Sequence, residues 1–191
     1  MFHYHIRRHG PGVKDVMEHI KESITINRAP EEVFSFLRQI EPRLRLNPSY
    51  KLLEFRRLTE GPIQKGSRYR VKAIAGNQVI EYEGEVLELI ENKKIATGDT
   101  GGRLRVTLTL KPLQKGTLLI HEEEFIIPDE ALYTPDEKSE LPFWQKVLRF
   151  LIEIERTRID ERQRRMEEIV TTLKRNLRTW LERIKEEIEM I

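Results

Sequence analysis

The tail of the chain most constrains what it can fold into. Beyond Gly116 there is no further glycine, and beyond Pro142 no further proline. Within that tail Met166, Ile169, Val170, Leu173, Leu177, Trp180, Leu181, Ile184 and Ile188 occupy one face at helical spacings of three and four. This periodicity predicts a single helix from about Glu161 to the end, preceded by a shorter helical piece over Phe143–Glu155 and by Asp160 and Gln163 at capping-box spacing. About 28 residues at 1.5 Å per residue give a helix roughly 42 Å long. Such a helix cannot bury its apolar stripe against a small compact neighbour. It needs a broad concave surface, and a curved antiparallel sheet with one apolar face supplies one.

The preceding residues predict that sheet. Glu22–Arg28 alternates, with Ile24 and Ile26 on one face. Ala29-Pro30-Glu31-Glu32 then has the composition of a helix start, and Val33, Phe34 and Leu37 form its apolar stripe. Pro42 and Pro48 bracket a second short helix over Arg43–Leu46. From Tyr50 onward six strands are predicted, at Tyr50–Leu58, Ser67–Ala75, Gln78–Leu89, Lys94–Asp99, Arg103–Lys111 and Thr117–Ile127. Short turn signals separate them, among them Gly76-Asn77, Gly101-Gly102 and Lys115-Gly116, so an antiparallel meander is expected instead of parallel crossovers. Ile80, Tyr82, Gly84 and Val86 share one face of their strand, while Glu81, Glu83 and Glu85 share the other.

Residues 1–16 differ from the rest. They hold His3, His5 and His9 ahead of Gly10-Pro11-Gly12, and are expected to form a flexible extension to a single domain over residues 17–191. Histidines two apart on a strand share a face and could ligate a metal. No carboxylate pattern completes a shell, so neither a metal nor a cofactor is expected.

Composition narrows the classes of function. Lys plus Arg number 34 against 32 Asp plus Glu, which leaves no net basic stripe for nucleic acid. No run approaches the roughly 18 apolar residues of a membrane span, and a soluble, cytoplasmic protein is expected. The absence of cysteine removes thiol chemistry, and with a charged share of 35% it is the pattern of a thermophilic source.

The order of strand, two short helices, six-strand meander and long closing helix resembles the helix-grip superfamily of polyketide cyclases/dehydrases and lipid-transport proteins, which includes START domains and birch-pollen-allergen relatives. The likeness is carried by ESITINRAPEEVFSFL (Glu22–Leu37), GPIQKGSRYRV (Gly61–Val71), KGTLLIHEEEF (Lys115–Phe125) and ERQRRMEEIVTTLKRNLRTWLE (Glu161–Glu182). It spans about Ile20 to Glu187. One departure is that many cyclase-type relatives carry a Trp near the end of the second helix, where this chain has Arg45-Leu46-Asn47-Pro48. The resemblance implies an α+β helix-grip fold, about seven strands curved around the C-terminal helix, with space between them for an apolar or amphipathic small molecule.

In that arrangement Tyr69, Tyr82, Leu104, Val106, Met166, Val170 and Leu173 face inward, with Phe34, Leu46 and Trp144 near the ends. They either line a ligand cavity or pack together as a filled core. Gly84 makes room on the inner face or marks a bulge. His121 is ambiguous, because both faces of its strand mix apolar and acidic residues. The expected placement is outward, on a charged strand. Turned inward beside Glu123, it becomes an acid/base candidate.

Three functions follow: a binding or transport protein for a lipid, quinone-like or aromatic metabolite; a cyclase/dehydratase-type enzyme using His121, Tyr69 and Tyr82; or an interaction protein that dimerises through apolar residues of Trp180–Ile191. The first is preferred, because no nucleophile motif, phosphate loop or metal constellation demands catalysis.

Overall fold

The computed structural model describes residues 5–6, 16–127 and 161–191. Among them lie β1 (His5–Ile6), β2 (Val16–Ile26), α1 (Pro30–Arg38), α2 (Ile40–Arg45), β3 (Lys51–Arg57), β4 (Arg68–Ala75), β5 (Gln78–Ile90), β6 (Lys94–Asp99), β7 (Leu104–Pro112), β8 (Thr117–Ile127) and α3 (Glu161–Met190). The strands form one antiparallel sheet in the order β1-β2-β8-β7-β6-β5-β4-β3. Seven long strands and the two-residue β1 therefore make the expected curved sheet, with two short helices after its first long strand.

Two boundaries differ from the sequence expectation. β2 begins at Val16 and not near Glu22, and its first residues pair with β1, which ties His5–Ile6 of the leader to the sheet edge. α2 begins at Ile40, so Pro42 lies inside it. The position is tolerated because a first-turn N–H has no intrahelical partner to lose. α1 opens as expected, with Pro30 in its first turn and the Glu32 carboxylate accepting the Ala29 N–H at 3.0 Å.

Register shifts between Leu52 and Glu54 on β3 and between Val86 and Glu88 on β5 bend the sheet. Its convex face carries cross-strand ion pairs, among them Arg68–Glu83 at 2.6 Å, Arg70–Glu83 at 2.7 Å and Lys21–Glu122 at 2.9 Å. Its concave face presents Ile20, Ile24, Val71, Ile80, Val86, Leu108 and Leu119, all buried. Gly116 closes the β7–β8 turn at φ +94°, and a Cβ there would stand 2.2 Å from the Ile26 carbonyl oxygen. Only glycine lets this turn abut the end of β2.

α3 has 30 residues and buries the whole predicted stripe except the half-buried Val170. Polar ties fix its C-terminal half. The Trp180 indole N–H donates to the Arg43 carbonyl at 2.9 Å, Arg178 donates to the Ser23 carbonyl at 3.0 Å, and Arg28 reaches the Glu189 carbonyl at 2.8 Å. Trp180, Leu181, Ile184 and Ile188 thus belong to the chain's own core, and only Met190 and Ile191 stand out, 76% and 84% exposed. The sheet is broad enough to cover the segment from which a dimer was read, so most of that apolar patch is gone. The helical piece predicted at Phe143–Glu155 lies outside the described residues. No helix among the described residues is long and apolar enough to cross a membrane.

Candidate functional site

The concave face is apolar apart from one group of polar side chains. His121 on β8 is its first member, and the structure overturns the outward placement: the imidazole is fully buried. The reason is register. β2 pairs along β8 so that Ile20, Glu22 and Ile24 lie opposite Glu123, His121 and Leu119. Directly paired residues share a face, and the isoleucines of β2 must face α3, so His121 and Glu123 do too. His121 Nε2 stands 3.0 Å from Glu123 Oε1, but its N–H direction does not meet the carboxylate as a hydrogen bond, and Nδ1 has no partner. The ring leans on Trp180 of α3, with centroids 5.0 Å apart and planes tilted 60°.

Tyr69 on β4 is the second member. Its register partner on β5 is Gly84, and the ring lies flat across that strand: a Cβ on Gly84 would be 2.4 Å from Tyr69 Cζ. The room expected from Gly84 is therefore room for this ring. Tyr69 also stacks on Phe55 with centroids 5.6 Å apart, and its hydroxyl hydrogen-bonds the Thr97 side chain on β6. Tyr82, beside it on β5, shares a hydrogen bond with Tyr50, which precedes β3. Burial pushes all three phenols above the ordinary tyrosine value, and each also feels another phenol or a carboxylate.

Arg43 of α2 reaches into the same group and is only 2% exposed. Its Nε and Nη1 have no hydrogen-bond partner. Among the described residues the groups acting on it are Tyr69, Tyr50 and Tyr82, all neutral at pH 7. Burial pushes its pKa down, yet a guanidinium starts so high that it stays charged. Glu18 at the start of β2 adds a half-buried carboxyl, raised by burial and partly lowered again by Lys174 of α3.

Among the described residues, clefts open on the surface at two places. One, of about 530 Å³, lies between the end of α2 and the start of β3 and is lined by Tyr50, Leu52, Arg45, Lys51 and Arg183 among others. The other, about 650 Å³, lies beside the start of α1 and the C-terminal Ile191, and none of the buried polar group lines it.

Of the residues predicted from sequence, Phe34, Tyr69, Leu104, Met166 and Leu173 are buried in the core. Leu46, Tyr82, Val106 and Val170 are partly buried against it. Trp144 lies outside the described residues. Sequence reasoning missed Arg43, Tyr50 and Thr97. A signal for Arg43 existed, since Ile40, Arg43 and Leu44 stand at i, i+3 and i+4 and so share the apolar face of α2. Among the described residues no three His, Cys, Asp or Glu side chains stand close enough to hold a metal ion.

A curved antiparallel sheet gripping one long C-terminal helix, with two short helices after the first long strand, is the helix-grip fold. No protein-family model matches the sequence, and no curated protein does. Solved structures do. The Zhui aromatase/cyclase from Streptomyces sp. R1128 is similar over 91% of this chain and 94% of its own, with a TM-score of 0.60 at 17% identity. Ara h 8.0201 is similar over 92% of this chain and 99% of its own, with a TM-score of 0.57 at 12% identity. A protein of unknown function from Staphylococcus aureus is similar over 92% and 96%, with a TM-score of 0.57 at 11% identity.

Proposed function

We propose that this protein binds a hydrophobic small molecule, a lipid, quinone-like compound or aromatic metabolite, between the concave face of the sheet and α3. The observation that carries the reading is the buried imidazole of His121, which has no hydrogen bond at either ring nitrogen although the Glu123 carboxylate stands 3.0 Å from Nε2. A filled core satisfies nearly all of its buried polar groups, and each one left unpaired costs about 1–3 kcal/mol. Polar groups held in reserve inside an apolar enclosure are what a ligand site needs for orientation. The fold, shared with a structure described as an aromatase/cyclase, adds an architecture in which sheet and helix enclose an interior.

Native mass spectrometry of the freshly purified chain tests this. A small-molecule adduct that dissociates on denaturation is expected, together with a rise in melting temperature on adding apolar compounds. No adduct and no shift across a broad panel would sink the proposal.

A second reading is favoured by the placement of His121 and Glu123. With Nε2 3.0 Å from the carboxylate, the imidazole could take a proton from a carbon next to a bound carbonyl while Glu123 steadies the imidazolium. Such enolisation exchanges carbon-bound hydrogen with solvent. The co-purified molecule, incubated with protein in heavy water, would then gain deuterium, and His121→Ala would abolish the gain. A carrier returns the molecule unlabelled.

A further inference from the structure

We propose that Arg43 is the receptor for a carboxylate at one end of the hydrophobic ligand, and that the ligand enters past Tyr50 through the cleft between α2 and β3. This rests on the reading above, that the interior binds a hydrophobic molecule, and names the chemical class of that molecule.

The argument begins with an unbalanced charge. Arg43 is 2% exposed, its Nε and Nη1 have no hydrogen-bond partner, and the groups acting on it among the described residues are three neutral phenols. A buried guanidinium is ordinarily paired, because desolvating it without an anion is expensive. The carboxylate of Glu123 stands 3.0 Å from His121 Nε2, and neither Nε nor Nη1 of Arg43 hydrogen-bonds it. Among the described residues no anion pairs with this buried positive charge, and hydroxyls that can also donate lie beside it. A monoanion with oxygen acceptors matches both features. The carboxylate is the form in which a hydrophobic metabolite ordinarily carries a single oxyanion, and guanidinium hydrogen bonds to carboxylates are among the stronger ones in proteins.

The cleft supplies an independent observation. Tyr50 lines it and also shares a hydrogen bond with Tyr82, and both phenols act on Arg43. Among the described residues the lining carries Arg45, Lys51 and Arg183 and no acidic side chain. Glu41 pairs with Arg45, which leaves Lys51 and Arg183 to set the sign of the mouth. A cationic mouth raises the local concentration of an anion and repels cations. Leu52 and Ile74 supply apolar wall at the same opening.

The test uses the full chain and two matched pairs of probes below their micellar concentrations: dodecanoate against dodecanol, and 2-naphthoate against 2-naphthalenemethanol. Calorimetric titration should show at least one acid binding about tenfold or more tightly than its alcohol, the scale of one charge-assisted hydrogen bond. Arg43→Met should remove that preference while leaving the alcohol's affinity unchanged, and Arg43→Lys should keep part of it. If Arg43→Met does not fold, the wild-type preference and its partial retention in Arg43→Lys still decide. Acid and alcohol binding equally well, or a preference surviving in the folded Arg43→Met protein, would overturn the role of Arg43 and leave hydrophobic binding standing. Failure of all four probes to bind would overturn both.

Discussion

At the residue scale, two positions in the interior have opposite relations to stability. Gly84 is there for packing. A methyl group on it would overlap the Tyr69 ring at 2.4 Å, and that ring is fixed on its other sides by Phe55 and Thr97. Gly84→Ala should therefore cost about 1–3 kcal/mol, as overpacking does, measured by urea denaturation. In a Tyr69→Ala background the same change should be close to neutral, because the clashing ring is gone. Equal costs in both backgrounds would show that the close approach is not what keeps position 84 small. Arg43 is different, since without an anionic partner it is a stability liability. Arg43→Met should leave the unliganded protein as stable or raise its stability by about 1–3 kcal/mol, as replacement of buried charge by apolar volume often does. A large loss on thermal unfolding would instead mark the guanidinium as structural. Tyr69, Tyr82 and Gly84 were legible in the sequence because alternation along β5 and β4 assigns their face directly. Arg43 was not, because with the second helix started after Pro42, at Arg43, its place on the apolar face shared with Ile40 and Leu44 does not show; it shows only when the helix is started at Ile40.

At the scale of elements, the fold was read almost entirely from period. The two-residue repeat shows in the burial of β4 and β7 and the three-to-four repeat in that of α3, because each of these buries one face. By contrast, β6 buries Ile95, Ala96, Thr97 and Gly98 in succession, and β8 buries Leu119, Ile120 and His121. What period does not carry is which face is buried when both look alike. β8 is that case: Leu119, His121, Glu123 and Phe125 against Ile120, Glu122, Glu124 and Ile126, and only pairing with β2 and β7 decides. The reach of the sheet was likewise invisible, and with it the burial of the last turns of α3. That burial gives a sharp contrast between neighbouring apolar residues. Ile184 is fully buried and Met190 is 76% exposed. Ile184→Ala should cost about 2–5 kcal/mol, and Met190→Ala less than about 0.5 kcal/mol. Chemical denaturation of the two variants checks the contrast. Comparable losses would mean that the end of the helix is covered by a partner after all, which sedimentation equilibrium would then reveal.

Over the whole molecule, charge and burial are divided between the two sides of one sheet. The convex side spends its acids and bases on exposed cross-strand pairs such as Arg70–Glu83, which add little stability individually. Such pairs hold Glu83 and Glu88 below the ordinary carboxylate value, which bears on acid pH, whereas the alkaline dependence of stability should come from the buried phenols of the concave side. Tyr50, Tyr69 and Tyr82 are all raised, with burial the largest cause in each. The folded chain therefore holds these phenolic protons more tightly than the unfolded chain, whose tyrosines titrate near pH ~10. A raised pKa contributes stability that is complete below the unfolded value and is lost as pH climbs through it. Three such protons give a slope approaching about 4 kcal/mol per pH unit, enough to unfold an ordinary domain within two or three units. Arg43 does not oppose this, since a guanidinium keeps its proton across that range. Near-ultraviolet titration should find at least three of the five tyrosines silent until a cooperative alkaline transition, in which their phenolate absorbance and the loss of circular dichroism appear together. Tyr69→Phe should lower the slope by one proton. If all five phenols instead ionised at ordinary pH while the circular dichroism stayed native, the interior would have to be open to water at Tyr50, Tyr69 and Tyr82, and the enclosure on which ligand binding depends would be lost with it.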